Sequence, residues 1–171
     1  MSIVLIGARG CGKSTIGRRL ADRLWQSFVD IDEQIVRRAG KTIRDIFEQD
    51  GEERFRDLES EIIRDVAKLP GQVIALGGGS LLREENRRVL KEVGHKLLYL
   101  RCDPIELARR VKADPSSGIT RPHLTQYQGG VKEVELLLAQ REPIYRECMT
   151  AELDVTRLTP DEAVLHLVRM M

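Results

Sequence analysis

The chain has almost no charge imbalance, few cysteines and no long hydrophobic run. Its 171 residues carry a formal net charge of +1 and are 42% hydrophobic. This balance argues against a nucleic-acid-binding surface and against a disordered chain. No apolar run approaches the roughly 20 residues of a membrane-spanning helix. The N-terminal run is also too short, and lacks the basic lead, for a signal peptide. We therefore expect neither a nucleic-acid partner nor a membrane partner.

The three cysteines, Cys11, Cys102 and Cys148, share no spacing typical of disulfide frameworks or metal sites. Unpaired thiols are typical of a reducing compartment, so we predict a cytoplasmic protein. The sequence also lacks internal repeats, low-complexity tracts and linkers. Its length suits one domain with a proper core, spanning residues 1–171, and we expect a monomer.

A phosphate-binding loop is the most specific motif present. Residues 7–14 read Gly-Ala-Arg-Gly-Cys-Gly-Lys-Ser, followed by Thr15, and match the P-loop pattern G-x-x-x-x-G-K-[ST]. An apolar β-branched run precedes them, and helical periodicity follows. Gly10 and Gly12 let backbone amides approach phosphates, and Lys13 supplies a point charge. Ser14 offers a hard oxygen ligand to Mg²⁺, whereas Cys11 is interpreted as a small filler of the loop.

Strands alternate with helices along the rest of the chain. Short apolar runs near residues 28–32, 73–76, 96–100 and 152–155 are separated by segments with helical periodicity. This alternation predicts an α/β protein of three layers: a five-stranded parallel sheet flanked by helices, of the P-loop NTPase type. Residues 112–125 are the most loop-like stretch, and we expect a mobile lid there.

The sequence lacks the motifs of a GTPase switch. Its one asparagine, Asn86, precedes an arginine, so no Asn-Lys-x-Asp guanine motif exists, and no Asp-x-x-Gly is present. Mechanical ATPases generally have longer chains. A small kinase therefore remains the favoured class of protein. Such an enzyme needs residues that bind the molecule that accepts the phosphoryl group.

Two carboxylates follow the second strand. Asp30 and Asp32 stand two residues apart, so in an extended segment both point to one face, at the sheet edge where α/β proteins bind ligands. One could support Mg²⁺, and the other could hold or deprotonate an acceptor hydroxyl. The alternative is an acidic helix start that complements the helix dipole.

Three consecutive glycines, Gly77, Gly78 and Gly79, follow the third strand. Such a run costs chain entropy unless backbone must approach a ligand closely, although an ordinary turn is the alternative. Arg56, Arg121 and Arg141, taken singly, are interpreted as surface arginines.

As an ordered set, these motifs resemble the shikimate kinase family. The resemblance runs from residue 3 to about residue 157. Six segments carry it: residues 7–15, Phe28-Val29-Asp30-Ile31-Asp32, Gly51-Glu52-Glu53-Arg54-Phe55-Arg56, Gly77-Gly78-Gly79, Arg121-Pro122 and Arg141-Glu142-Pro143-Ile144-Tyr145-Arg146.

The resemblance implies transfer of the γ-phosphoryl group of ATP to the 3-hydroxyl of shikimate, in the aromatic amino-acid pathway. On the nucleotide side it implies that Lys13 and the amides of residues 10–15 bind phosphates. It also implies that Ser14 ligates one Mg²⁺ ion and that Asp30 supports this ion through water. Arg121, on the lid, would reach the phosphates, and Arg157 would lie near the adenine.

On the acceptor side the resemblance implies a helical region over residues 31–62 that binds shikimate. Asp32 would bind the reacting hydroxyl and act as the base, while Arg56 and Arg141 would hold the carboxylate. Residues 77–79 would contact the substrate, Gly78 through its backbone. Bidentate guanidinium groups suit an anionic ring acid.

Two alternatives remain open from the sequence. One is a P-loop kinase of another small metabolite, such as gluconate or a nucleoside monophosphate. The other is a regulatory module that binds nucleotide without transferring phosphate. The combination of Lys13, Ser14, Asp30 and Asp32 argues against a silent module.

Overall fold

Five short strands form a parallel sheet at the centre of the protein. The computed structural model describes residues 1–114 and 130–171. The strands are β1 (Ile3–Ile6), β2 (Ser27–Asp30), β3 (Gln72–Ala75), β4 (Lys96–Arg101) and β5 (Ala151–Asp154), in the spatial order β2-β3-β1-β4-β5. Every neighbouring pair is parallel. All four residues of the central β1 are buried, as expected for a parallel sheet covered on both faces.

Helices connect the strands and cover both faces of the sheet. Within the described residues they are α1 (Lys13–Leu24), α2 (Ile31–Ala39), α3 (Ile43–Ala67), α4 (Glu84–Glu92), α5 (Pro104–Ala113), α6 (Val131–Cys148) and α7 (Pro160–Arg169), with a 3-10 turn over Ser80–Leu82. The predicted three-layer α/β fold is confirmed.

The apolar core consists of two clusters, one on each face of the sheet. Val4 and Ile6 of β1 pack in one cluster with residues of α2, α3 and α4. Ile3 and Leu5 pack in the other with residues of α1, α5 and α7. Helix α6 contributes to both, through Tyr145 and Leu138 respectively. It therefore packs against the core on both faces of the sheet.

Local sequence signals set several helix boundaries. Thr42 and Asp45 form a capping box at the start of α3, and Thr159 and Glu162 form another at α7. Gly51 has φ 85° and ψ 166°, so it interrupts α3 where the sequence predicts a break. These boundaries agree with the sequence prediction because each depends on residues only three positions apart.

Three boundaries differ from the sequence prediction. Helix α2 begins at Ile31, so Asp32 lies in a helix rather than at a strand end. The sequence predicts a helix over residues 81–93, but this segment starts as the 3-10 turn and becomes α-helical only at Glu84. The sequence also predicts that a helix from about residue 131 to 149 bends or restarts near Pro143, but α6 continues through Pro143 to Cys148 without a restart.

The expected lid lies largely outside the described residues. Residues 112 and 113 are the last two of α5, and the positions from 115 to 125, including Arg121, fall outside the part of the chain that the structure describes. Among the helices of residues 1–114 and 130–171, none combines the length and apolar character of a membrane span.

Candidate active site

A cavity of about 1000 Å³ opens where β1, β2 and β3 end. This is the carboxyl edge of the sheet, where parallel α/β folds place their ligands. Its wall combines the glycine loop, the residues after β2 and β3, and side chains from α5. The predicted site residues in this wall are Gly10, Gly12, Lys13, Ser14, Thr15, Asp30, Asp32, Gly77 and Gly78.

The glycine loop leads directly into α1. Gly10 has φ 87° and Gly12 has φ 97°, conformations that side chains rarely adopt, and Gly12 is the N-cap of the helix. The first residues of α1, Lys13, Ser14 and Thr15, line the cavity. Their backbone amides lie at the positive end of the helix dipole, which favours a phosphate group.

The Lys13 ammonium lies over its own loop. Its Nζ donates to the carbonyl oxygens of Gly7 and Ala8, each at 2.9 Å. The Cys11 Sγ is 3.6 Å from the same nitrogen. A phosphate oxygen is a stronger acceptor for an ammonium than a neutral carbonyl, so this position suits phosphate binding in the loop.

Cys11, whose backbone amide is predicted to bind phosphate, does not itself line the cavity. Its side chain is fully buried in the apolar cluster with α1 and α5 and is not part of the cavity wall. This placement agrees with its interpretation as a small filler of the loop.

Ser14 and Asp30 form a pair of hard oxygen groups at the cavity. The Ser14 hydroxyl donates to Asp30 Oδ2 at 2.5 Å. Asp30 caps α2, because its Oδ1 accepts from the backbone amides of Asp32 and Glu33 at 3.0 and 3.4 Å. The cap orients the Asp30 carboxylate and leaves its other oxygen directed at Ser14.

The sequence argument for Asp32 is wrong in its geometry, although the residue does line the cavity. Asp30 and Asp32 do not share a strand face, since Asp32 lies in the first turn of α2. The turn places it beside the glycine run: an added Cβ on Gly77 would stand 3.3 Å from Asp32 Oδ1. Proximity thus comes from the strand-to-helix turn.

Arg56 is buried, with 8% of its surface exposed, and Glu59 is its main partner. Arg56 Nη1 donates to Glu59 Oε2 at 2.7 Å. Glu59 is fully buried and also accepts from the Ser80 hydroxyl at 2.6 Å. Asn86 Nδ2 in turn donates to the Ser80 carbonyl at 2.8 Å. A chain of hydrogen bonds from α4 through the 3-10 turn therefore orients this guanidinium.

Arg141 lies on α6 and is also buried, with 9% exposed. Burial lowers its pKa, and the nearby positive charge of Arg56 lowers it further, while Tyr145 and Glu59 act in the opposite direction. Within the described residues its Nε has no hydrogen-bond partner. Two neighbouring guanidinium groups, both largely removed from water, form a place where an anionic group is electrostatically favoured.

Both guanidinium groups pack against the three glycines instead of lining the main cavity. A Cβ on Gly79 would stand 2.7 Å from Arg56 Nη2, and one on Gly78 would stand 3.3 Å from Arg141 Nη1. Glycine at these positions thus permits close approach of the arginines. Gly78 itself also lines the cavity.

Arg157, which the resemblance places near the adenine, does not line the cavity. Arg157 is exposed, and the wall nearby is formed by Leu158, Pro160 and Arg110. Arg110 Nη2 donates to the carbonyl oxygens of residues 155 and 156, at 3.0 and 3.2 Å, and holds this segment at the cavity. Arg121 lies outside the described residues.

Four residues that the sequence reasoning passed over contribute to the site. Arg9 and Arg110 line the cavity, while Glu59 and Tyr145 lie behind the glycine run. Burial lowers the pKa of Arg9, and the charges of Asp114 and Glu133 partly offset this effect. Glu59 follows Arg56 by three residues on one helix, a spacing that makes the two side chains neighbours, so the sequence could have indicated this ion pair.

Comparison with known proteins identifies relatives along nearly the whole chain. The family model described as shikimate kinase matches residues 9–171. A shikimate kinase of Thermobifida fusca is 44% identical over 161 residues, which are 94% of this chain and 88% of the relative. A shikimate kinase of Rhodopirellula baltica is 37% identical over 167 residues, or 98% of this chain and 88% of the relative.

The fold is also similar to that of solved structures. A shikimate kinase from Acinetobacter baumannii, in complex with shikimate, superposes with a TM-score of 0.88 at 30% identity. The match covers 99% of this chain and 91% of that protein.

Proposed function

The chain belongs to the shikimate kinase family, and on that premise we propose that it transfers the γ-phosphoryl group of ATP to the 3-hydroxyl of shikimate. The products are shikimate 3-phosphate and ADP. One structural observation supports a carboxylate-bearing acceptor: two buried guanidinium groups, on Arg56 and Arg141, pack against the glycines beside the phosphate cavity. Such a pair suits the carboxylate of a small ring acid.

On the nucleotide side, the backbone amides of residues 10–15 bind the phosphates. Lys13 moves from its own loop carbonyls to the β- and γ-phosphates, because the negative oxygens are stronger acceptors. Positioning and charge neutralisation of this kind provide most of the catalysis in phosphoryl transfer. Arg121 is proposed to add a further positive charge.

A Mg²⁺ ion fits the Ser14–Asp30 pair. Hydroxyl and carboxylate oxygens are the ligands this ion prefers, and one or two protein groups suffice when substrate phosphates supply the rest. Within the described residues no group of three or more His, Cys, Asp or Glu side chains is arranged to hold a metal ion. When bound with ATP, the ion would neutralise charge on the phosphates.

On the acceptor side, Asp32 is proposed to hold the reacting hydroxyl and take its proton as the phosphoryl group leaves ATP. Its place between the glycine loop and Gly77 suits that role. Arg56 and Arg141 hold the carboxylate, and the backbone around Gly78 contacts the ring. A monomeric state and a cytoplasmic location remain predictions.

The test is an ADP-release assay with Mg-ATP and, in parallel, shikimate, quinate, gluconate or no acceptor. We expect release with shikimate and little with the other acids or without acceptor. ADP release with gluconate alone would support kinase activity but contradict shikimate as the acceptor. Protein that binds ATP but releases no ADP with any acceptor would be a nucleotide-binding module without transferase activity.

A further inference from the structure

Tyr145 is the aromatic residue of α6 that reaches the glycine run. Its side chain is 2% exposed and packs on Tyr99, with ring centroids 5.2 Å apart and an interplanar angle of 44°. Its hydroxyl donates to the carbonyl oxygen of Gly78. A buried phenol needs a hydrogen-bond partner. Because that partner is Gly78, the hydrogen bond lies at the wall of the active-site cavity.

Arg141 lies one turn before Tyr145 on α6 and approaches the same glycine. Its Nη1 is 3.3 Å from the position of an added Cβ on Gly78. Residues four apart on a helix are neighbours on its surface, so α6 itself brings the Arg141 guanidinium and the Tyr145 hydroxyl together at Gly78. The phenol also opposes the lowering of the Arg141 pKa by burial.

The bond to Gly78 also orients the next amide. A trans peptide is planar, so the carbonyl of Gly78 and the N–H of Gly79 point in opposite directions. Successive glycines have no side chains to restrict their rotation, and an anchored carbonyl supplies the missing restriction. Gly79 lies against the Arg56 guanidinium, because a Cβ added to Gly79 would be 2.7 Å from Arg56 Nη2. Anchoring the peptide therefore orients the amide beside both arginines.

From these contacts we infer that Tyr145 is a positioning residue for the acceptor carboxylate, acting through Arg141 and the Gly78–Gly79 peptide. The inference rests on the proposed function, in which these groups bind that carboxylate. Tyr145 does not touch the substrate in this scheme. Its hydroxyl holds a desolvated guanidinium and a glycine amide in one arrangement before the anion arrives, which lowers the cost of ordering them on binding.

The test is Tyr145→Phe, which removes the hydroxyl and keeps the ring. We expect the KM for shikimate to rise about tenfold, because hydrogen bonds to charged groups are of this strength. The KM for ATP and kcat should stay at the wild-type values. Tyr99→Phe is the matched control, since it makes the same change in the other ring of the pair, and it should alter none of these constants.

A second substrate separates positioning from packing. The methyl ester of shikimate has no carboxylate charge, so it should bind the wild-type enzyme more weakly and lose little further affinity in Tyr145→Phe. Equal losses for acid and ester, or equal effects of Tyr145→Phe and Tyr99→Phe, would indicate a packing role and overturn the inference. So would an unchanged KM for shikimate in Tyr145→Phe.

A second variant covers the case in which Tyr145→Phe does not fold. Arg141→Lys keeps the positive charge but replaces the planar guanidinium that lies at Gly78 with the Tyr145 hydroxyl. It should also raise the KM for shikimate, and an unchanged KM would overturn the inference. Wild-type protein without shikimate-dependent ADP release would refute the proposed function itself, before any variant is compared.

Discussion

The nucleotide half and the acceptor half of the site are built in different ways. The proposed nucleotide half is one continuous segment, residues 7–15, which follows β1 and runs into the first turn of α1. The acceptor half combines α2, α3, the glycine run and α6, and depends on buried side chains. A contiguous loop can be recognised from its residue pattern, whereas a site assembled from distant helices depends on how those helices pack.

The two halves also differ in electrostatic cost. Lys13 has carbonyl partners within its own loop. Arg56 and Arg141 are instead withdrawn from water, and Arg56 requires the fully buried Glu59 as a counterion. Burial of a charge is unfavourable unless it is paired, so the acceptor half holds positive charge whose best partner is the substrate anion.

The largest expected effect tests the nucleotide half. Lys13→Ala should lower kcat about 10³-fold, because it removes a preorganised positive group that stabilises charge on the phosphoryl group during transfer. The exposed Lys91→Ala is the control and should be neutral. Near-normal turnover in a folded Lys13→Ala protein would show that the loop amides suffice without the ammonium.

Asp32→Asn tests the point where the halves meet. The amide keeps the shape but cannot accept the proton, so kcat should fall about 10²-fold, with smaller changes in both KM values. Asp22→Asn, on the exposed face of α1, is the control. A variant that retains full kcat would show that proton acceptance by Asp32 is unimportant.

Arg141→Ala tests the acceptor half alone. The KM for shikimate should rise about 10- to 100-fold, as expected for a lost charged hydrogen bond, while the KM for ATP stays unchanged. Arg146→Ala is the matched control on the same helix, because its ion pairs with Glu142 and Glu152 are exposed and weak. An effect on the KM for ATP alone would move Arg141 to the nucleotide half.

The smallest expected effect lies outside both halves. Trp25 ends α1 with φ 56°, a left-handed backbone conformation that favours glycine over a residue with a Cβ. The residue is 95% exposed, and its side chain therefore makes few packing contacts. Trp25→Gly should raise the free energy of unfolding by about 0.5–1 kcal/mol in urea denaturation, and leave both KM values unchanged. Trp25→Ala keeps the strained position and should not stabilise. A shifted KM would mean that the two halves are sensitive to remote changes in α1.

Local patterns predicted the fold well. The capping boxes at Thr42 and Thr159 and the break at Gly51 were readable because each depends on neighbouring residues. The prediction for Asp32 had the right residue and the wrong geometry, since a two-residue period holds only while the strand continues, and the helix begins at Ile31. Arg157 was assigned to the cavity, where Arg110 is found instead, because spacing after β5 does not reveal which side chain turns inward.

The sequence by itself determined the P-loop, the order of strands and helices, and the presence of paired carboxylates and arginines. These follow from residue type and short-range spacing. Only the tertiary structure decided that Arg56 and Arg141 meet at the glycine run, that Glu59 balances one of them, and that Tyr145 reaches Gly78 beside the other. The physical reason is that these contacts depend on the packing of α3 and α6 against the sheet, which brings together residues far apart in the chain.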